Sequence, residues 1–309
     1  MFLKRTLTGA VFFLFFGVWI SSSLANDAGE KHDEPGEPKL SIVRPNPNDV
    51  SDMAFIRGGK FVRGSTFEEN QTAFKMCRKN DRSCKLWWFS DEYPLKLVML
   101  QTYLIDIYEV TNEKYLQFVE ATGHPPALDD SCTTDACREG NLWKESSFPS
   151  KIRRQPVTQV SWYDAQVYCK WRGKRLPTEA EWEKAGRGKR PINYPWGDSL
   201  PDSEKLNYNE EKMKTTPVGS YEKGKSDYGV YDLSGNVSEW VHDWHYPEYY
   251  LFSPKENPQG PEKGQYKIIR GGNWRNKALD VNLTYRNATA PNMRNDTVGF
   301  RCAKDASSK

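Results

Sequence analysis

This chain carries six cysteines, the first at Cys77 and the last at Cys302, and their number is even. In an exported chain an even set reads as a disulfide framework, which dictates which distant segments must meet. Six cysteines allow fifteen pairings, but spacing narrows them. Cys77 and Cys84 enclose one short polar segment, and Cys132 and Cys137 another, so closing either loop costs little entropy. Cys169 and Cys302 are left to join the middle of the chain to its end. No CxxC occurs, and neither short pair has the partner spacing of a zinc site.

Export is expected from the N-terminus. Lys4 and Arg5 precede an apolar run over residues 7–20, and Ser23-Leu24-Ala25 resembles a cleavage site. Residues 1–25 therefore read as a signal peptide, with a run short of the ~20 apolar residues that span a bilayer. Residues 26–50 are charged and Pro-rich and read as a flexible tether, and residues 51–305 as the folded domain. No membrane span is expected after signal cleavage. Net charge is +3, of which Lys4 and Arg5 contribute two positive charges, and the cations are scattered, so a nucleic-acid partner is not expected. The short signal favours the bacterial periplasm, and the five N-x-S/T sequons at Asn70, Asn236, Asn282, Asn287 and Asn295 read as chance matches.

Aromatic residues make up 13% of the chain, with 11 Trp, while the mean hydropathy is −0.80. A core of large rings with polar handles favours an α+β domain with few helices and much irregular backbone. The run MAFIRGGKFVRGS reads as two strands joined by a tight turn at Gly58-Gly59. Residues 66–93 read as a polar insertion carrying the first cysteine pair. A strand then leads into a helix from near Thr111 to Gly123. A second helix starts at Ser161 with Asp164 three positions on, and a third follows the T-x-x-E capping box of Thr178 and Glu181. Beyond Gly188 only short strands and turns are expected.

The segment PVTQVSWYDAQVYCKWRGKRLPTEAEWEKAGRG, residues 156–188, resembles the central signature of the formylglycine-generating enzyme (sulfatase-modifying factor) family. Other landmarks agree in order. They are Glu109-Val110-Thr111-Asn112, Tyr194-Pro195-Trp196-Gly197, the run DLSGNVSEW from Asp232, Arg270-Gly271-Gly272-Asn273-Trp274 and Gly299-Phe300-Arg301-Cys302. The resemblance covers about residues 50–304 and implies a variant of the C-type-lectin-like fold with bound calcium. It also implies a disulfide between Cys169 and Cys302. One implied calcium site comprises Asp232, the carbonyls of Gly235 and Val237, and Glu239, a mixed oxygen shell suited to a hard cation. A second maps to Asn207, the Tyr208 carbonyl, Glu210 and the Lys212 carbonyl, where the sequence departs from the family pattern.

The departure at the chemistry is larger. The family enzyme binds copper with two cysteines five residues apart, shortly after the Arg-Gly-Gly segment. Here Asn276 and Val281 stand at those positions, and neither an amide nor an isopropyl group replaces a thiolate for a soft metal. No copper is therefore expected. His242, His245 and Glu248 are closely spaced, but read as part of an aromatic loop rather than a metal site. No nucleophile-elbow sequence supports a Ser-His-Asp triad.

Two functions follow from the resemblance. The first is an exported, calcium-stabilised binding or accessory protein, whose groove offers Trp274, Arg275, Tyr285, Arg286 and Arg294 to a protein, peptide or glycan. The second is a periplasmic oxidoreductase or maturation enzyme similar to the siderophore-maturing relatives, working with non-cysteine residues. A buried, desolvated Glu or Asp in the cleft would favour the second.

Overall fold

The computed structural model describes residues 46, 49–128 and 141–306. The expected signal peptide, nearly all of the expected tether and the expected Cys132–Cys137 bridge lie outside the described residues.

Three helices form where capping residues meet an apolar stripe. Asn112–Thr122 follows Thr111, whose side chain accepts from Lys114 N, and ends at Gly123 with φ 71°, a left-handed cap that suits glycine. Trp162–Trp171 and Glu179–Arg187 each begin with a full capping box, Ser161/Asp164 and Thr178/Glu181. A fourth helix was not legible as one. Residues 66–93 are not simply a polar insertion, because Phe67–Asn80 forms a 14-residue helix with its own Thr66/Glu69 capping box. In chain order these are α1 (Phe67–Asn80), α2 (Trp87–Ser90), α3 (Asn112–Thr122), α4 (Trp162–Trp171), α5 (Glu179–Arg187) and a short α6 (Tyr249–Phe252).

The strands are short. β1 (Met53–Ile56), β4 (Tyr103–Asp106) and β9 (Ala303–Asp305) make one sheet in the order β1-β4-β9. β2 (Gly59–Arg63) pairs with β3 (Lys96–Leu100) alone. The third sheet has the order β7-β6-β5-β8, from Asn287–Thr289, Lys267–Arg270, Ser238–Trp244 and Val298–Phe300. β1 and β2 thus do not pair with each other across Gly58-Gly59. Each takes an antiparallel partner from residues 96–106, and the chain changes sheet where Gly58 N donates to Thr102 Oγ1 at 3.0 Å. A Cβ at Gly58 would lie 2.9 Å from the Thr102 nitrogen, so glycine is needed for that approach.

Among the described residues two large apolar clusters fill the interior. One joins α3 and α4 through Tyr115, Phe118, Tyr168 and Cys169 to Trp240 of β5 and Phe300 of β8. The Cys169–Cys302 disulfide ties α4 to the chain end, with a sequence separation of 133, and Cys77–Cys84 closes a loop after α1. The other cluster packs β1 to β4 against Trp182 and Ala185 of α5. All nine residues of α5 are buried, including five charged side chains, so each charge needs a partner. Glu183 meets Arg270 and Arg187, both at 3.0 Å, and Lys184 Nζ donates to the Gly59 carbonyl at 2.9 Å. Among the described residues no helix is long and apolar enough to cross a membrane.

Candidate functional site

β6 ends at Arg270, and Gly271 and Gly272 follow at φ 88° and 66°. A Cβ on Gly272 would fall 2.3 Å from the Asp280 carbonyl oxygen, so the turn closes only with glycine there. It brings residues 273–280 back onto themselves. Asn276 Oδ1 accepts from Asn273 N at 3.0 Å, and the Asn276 carbonyl from Asn209 N at 2.8 Å. Arg275 lies over the Trp274 ring, 4.4 Å from its centroid, and pairs with Asp296 at 2.7 Å.

Asn276 faces a cleft of about 460 Å³ together with Arg275 and Tyr285, closed on the other side by Met76, Trp88 and Phe89. The polar insertion is thus a wall of the candidate groove. Its Met76 and the facing Leu279 also border a second pocket, of about 350 Å³, that reaches Glu92. An open groove of about 1000 Å³ continues past Tyr285 to Trp87, Tyr246, Tyr266 and the His245–Asp91 pair, which meets at 3.0 Å. The exposed Trp87 and Trp88 rings stand edge to face, 6.1 Å apart.

The five expected groove residues divide. Arg275 and Tyr285 line the cleft. Trp274 is buried beneath Arg275 rather than presented, at 6% exposure. Arg286 borders the open groove, but its guanidinium is fully buried, bonded to Glu179 at 2.8 and 3.2 Å and to the Asp91 carbonyl at 2.8 Å. Burying it without these partners would be prohibitive, so it holds the groove wall to α5. Arg294 pairs with Asp164 of α4 at 2.7 Å and donates to the Gln159 carbonyl, and it lines none of these three cavities.

Asn276 and Val281 do not share one environment. Val281 packs in an apolar cluster with Tyr194 and Leu206, while Asn276 lines the cleft. Every cysteine among the described residues is in a disulfide, so none of them offers a thiolate there. The donor set does not fit Cu(I). His242 sits in strand β5 rather than in a loop, and among the described residues no three His, Cys, Asp or Glu side chains converge as a metal cluster.

The two stretches expected to hold calcium pack on each other. A Cβ at Gly235, φ 80°, would lie 2.4 Å from the Asn207 carbonyl oxygen, and that oxygen accepts from Asn236 N at 2.8 Å. Glu109, Asp232 and Glu239 are all buried here, against the single guanidinium of Arg301. Burial, opposed by a hydrogen bond from Gly219 N, pushes Asp232 up to about 6. Burial and then the charges of Asp232 and Glu239 hold Glu109 well above the carboxylate range. Carbonyls and an excess of buried carboxylate fit a hard cation in donor type and in charge. In the second stretch, Asn207 Oδ1 is buried without a hydrogen-bond partner, whereas Glu210 and Lys212 are exposed and the Tyr208 carbonyl accepts from Glu211 N.

The signals that could have identified the insertion as a groove wall were the Thr66/Glu69 box and the Trp87-Trp88-Phe89 run. Neither has a repeating apolar stripe behind it.

Known proteins resemble this chain over most of its length. The chain is 37% identical over 279 residues to "Serine/threonine-protein kinase pkn1" of Chlamydia caviae, covering 87% of this chain and 40% of that protein. The chain thus spans less than half of that relative, whose name describes the longer protein. It is 30% identical over 304 residues to the "Formylglycine-generating enzyme" of Streptomyces coelicolor, covering 84% of this chain and 91% of that one. It is 31% identical over 300 residues to the mouse "Inactive C-alpha-formylglycine-generating enzyme 2", covering 82% and 86%. Among solved structures, PvdO from Pseudomonas aeruginosa superposes with TM-score 0.63 at 28% identity, over 82% of this chain and 94% of that one. Residues 39–306 match the sulfatase-modifying factor enzyme 1-like domain, and the chain belongs to that formylglycine-generating enzyme family.

Proposed function

We propose that this is an exported binding or accessory protein that keeps the family's groove without its copper-cysteine oxidase chemistry. The observation that carries the reading is the pair Asn276 and Val281, one an amide on the cleft wall and the other an isopropyl group in an apolar cluster. The groove instead offers rings and a guanidinium, which suit capture of a protein, peptide or glycan segment in the cell envelope. Two disulfides are in keeping with an oxidising compartment. A relative named inactive, 31% identical to this chain, supports a reading without turnover. Calcium at Asp232, Gly235, Val237 and Glu239 would supply structural rigidity.

The test is incubation of the purified chain with a sulfatase-type cysteine peptide in air, with and without copper. No aldehyde product and no tight Cu(I) binding are expected. Aldehyde formation by the wild-type chain would overturn the reading.

A second reading, an oxidoreductase of the same family without thiols, is favoured by one observation. Glu92 is buried beside the cleft, and burial pushes its carboxyl up to about 7, a value suited to proton transfer at neutral pH.

A further inference from the structure

The pocket behind Met76 and Leu279 belongs to neither expected site. α1 and the loop carrying Tyr194 and Asp198 form its walls, and Glu92 lies on its inner side. Its volume, about 350 Å³, is in the range of small-molecule sites. Glu68, Glu69, Glu92 and Asp198 contribute to the lining, and no Lys, Arg or His does. Ala73, Met76, Leu200 and Leu279 supply an apolar stretch of the same wall.

Acidic residues alone would mark only a solvated face. Glu92 is different, being 3% exposed. Its Oε2 accepts from Ser65 Oγ at 2.8 Å, but Oε1 is buried without any hydrogen-bond partner. The nearby Thr284 hydroxyl opposes burial in setting the Glu92 carboxyl, while its hydrogen bond runs to Asn282 Oδ1 at 2.9 Å. A buried carboxyl oxygen left without a donor is costly, so a donor brought to it is stabilised accordingly.

We propose that this pocket is a recognition site for a primary ammonium group on an apolar stem, such as a lysine side chain or an alkylamine. The ammonium would donate to Glu92, the acidic rim would attract it, and the stem would lie against Met76 and Leu279. This goes beyond the proposed function, since it holds whether or not the groove turns over what it binds.

Protonation gives the site a signature that a merely structural carboxylate lacks. The groups facing Glu92 are Asp91 beside it, Arg270 of β6, the hydroxyls of Ser65 and Thr284, and at the pocket wall Glu68, Glu69, Tyr194 and Asp198. Burial dominates and keeps the carboxyl protonated to about pH 7. An ammonium binds the ionised form, so affinity rises with pH through that titration.

The experiment titrates the full chain with n-butylammonium chloride, and with n-butanol as the uncharged probe, at pH 6 and pH 8. Saturable binding of the ammonium is expected, about tenfold tighter at pH 8, with none by the alcohol. Glu92→Gln is expected to abolish the pH dependence. Glu68→Gln, on the exposed first turn of α1, is expected to weaken binding and keep the pH dependence. Melting curves on both variants check the fold. Equal binding of butanol, absence of saturable binding, or a pH dependence that survives Glu92→Gln would overturn the proposal.

Discussion

Arg301 engages both carboxylate oxygens of Glu239, Nη2 to Oε1 at 2.6 Å and Nε to Oε2 at 2.7 Å, in a pair sealed from solvent. Trp182 Nε1 adds a third bond to Oε2 at 3.0 Å. Oε2 is then saturated, and only Oε1 keeps a lone pair for a cation.

A calcium test on Glu239 is therefore confounded. Glu239→Ala strands a buried guanidinium at a cost of about 3–5 kcal/mol whether or not a metal binds. Asp232 is the better target, because among the described residues it accepts one hydrogen bond, from Gly219 N. Millimolar calcium should raise the wild-type melting temperature by mass action, and Asp232→Ala should remove most of that shift. Identical wild-type melting curves in calcium and in chelator would exclude the site.

The two disulfides among the described residues should differ in worth. Cys169–Cys302 spans 133 positions and Cys77–Cys84 spans 7. In the chain-entropy account the long loop is worth about 5 kcal/mol and the short one about 2.5. Urea unfolding of Cys302→Ser and of Cys84→Ser should show that order. A reversed order would mean that native packing around α1, not the unfolded chain, sets the difference.

Groove substitutions should separate binding from stability by burial. Arg275→Ala removes a half-exposed guanidinium whose pair with Asp296 is solvated, so stability should change by no more than about 1 kcal/mol while ligand capture falls. Trp274→Ala should instead cost about 3–5 kcal/mol, because the ring is buried. Arg286→Ala leaves Glu179 buried against one fewer guanidinium and should cost a similar amount. A Trp274→Ala protein as stable as wild type would put that ring on the groove surface after all.

Much of the frame was legible because it is written locally. Thr111, Ser161 and Thr178 each precede an apolar stripe, and α3, α4 and α5 follow them. α1 carries an equally good box at Thr66, but among its residues of described burial Asn70 alone is buried outright, so no period betrays it. The burial of the Arg286 guanidinium was not legible, for the opposite reason. Its partner Glu179 lies 107 positions earlier, and nothing in either neighbourhood says that the two charges meet in the interior. Gly58 looked like the centre of a turn, but its role is to fit against Thr102, a long-range contact that alternation cannot reveal.

The last prediction concerns stability against pH. Burial raises Glu92 from 4.5 to about 7, so between those values the folded chain holds a proton that the unfolded chain has released. The native state then binds more protons, and stability falls as pH rises through this window. For a fully buried group the loss is on the order of 3 kcal/mol across the titration. Asp232, raised to about 6, acts in the same direction, and occupancy by calcium would cancel its share by favouring the ionised form. Other groups titrate in the same range, so the informative quantity is the difference between wild type and Glu92→Gln, measured by urea unfolding in chelator from pH 4.5 to 8. That difference should drift in favour of the variant as pH rises and flatten above about pH 8. A constant difference would mean that Glu92 is ionised throughout, and that the protein already supplies Oε1 with a donor.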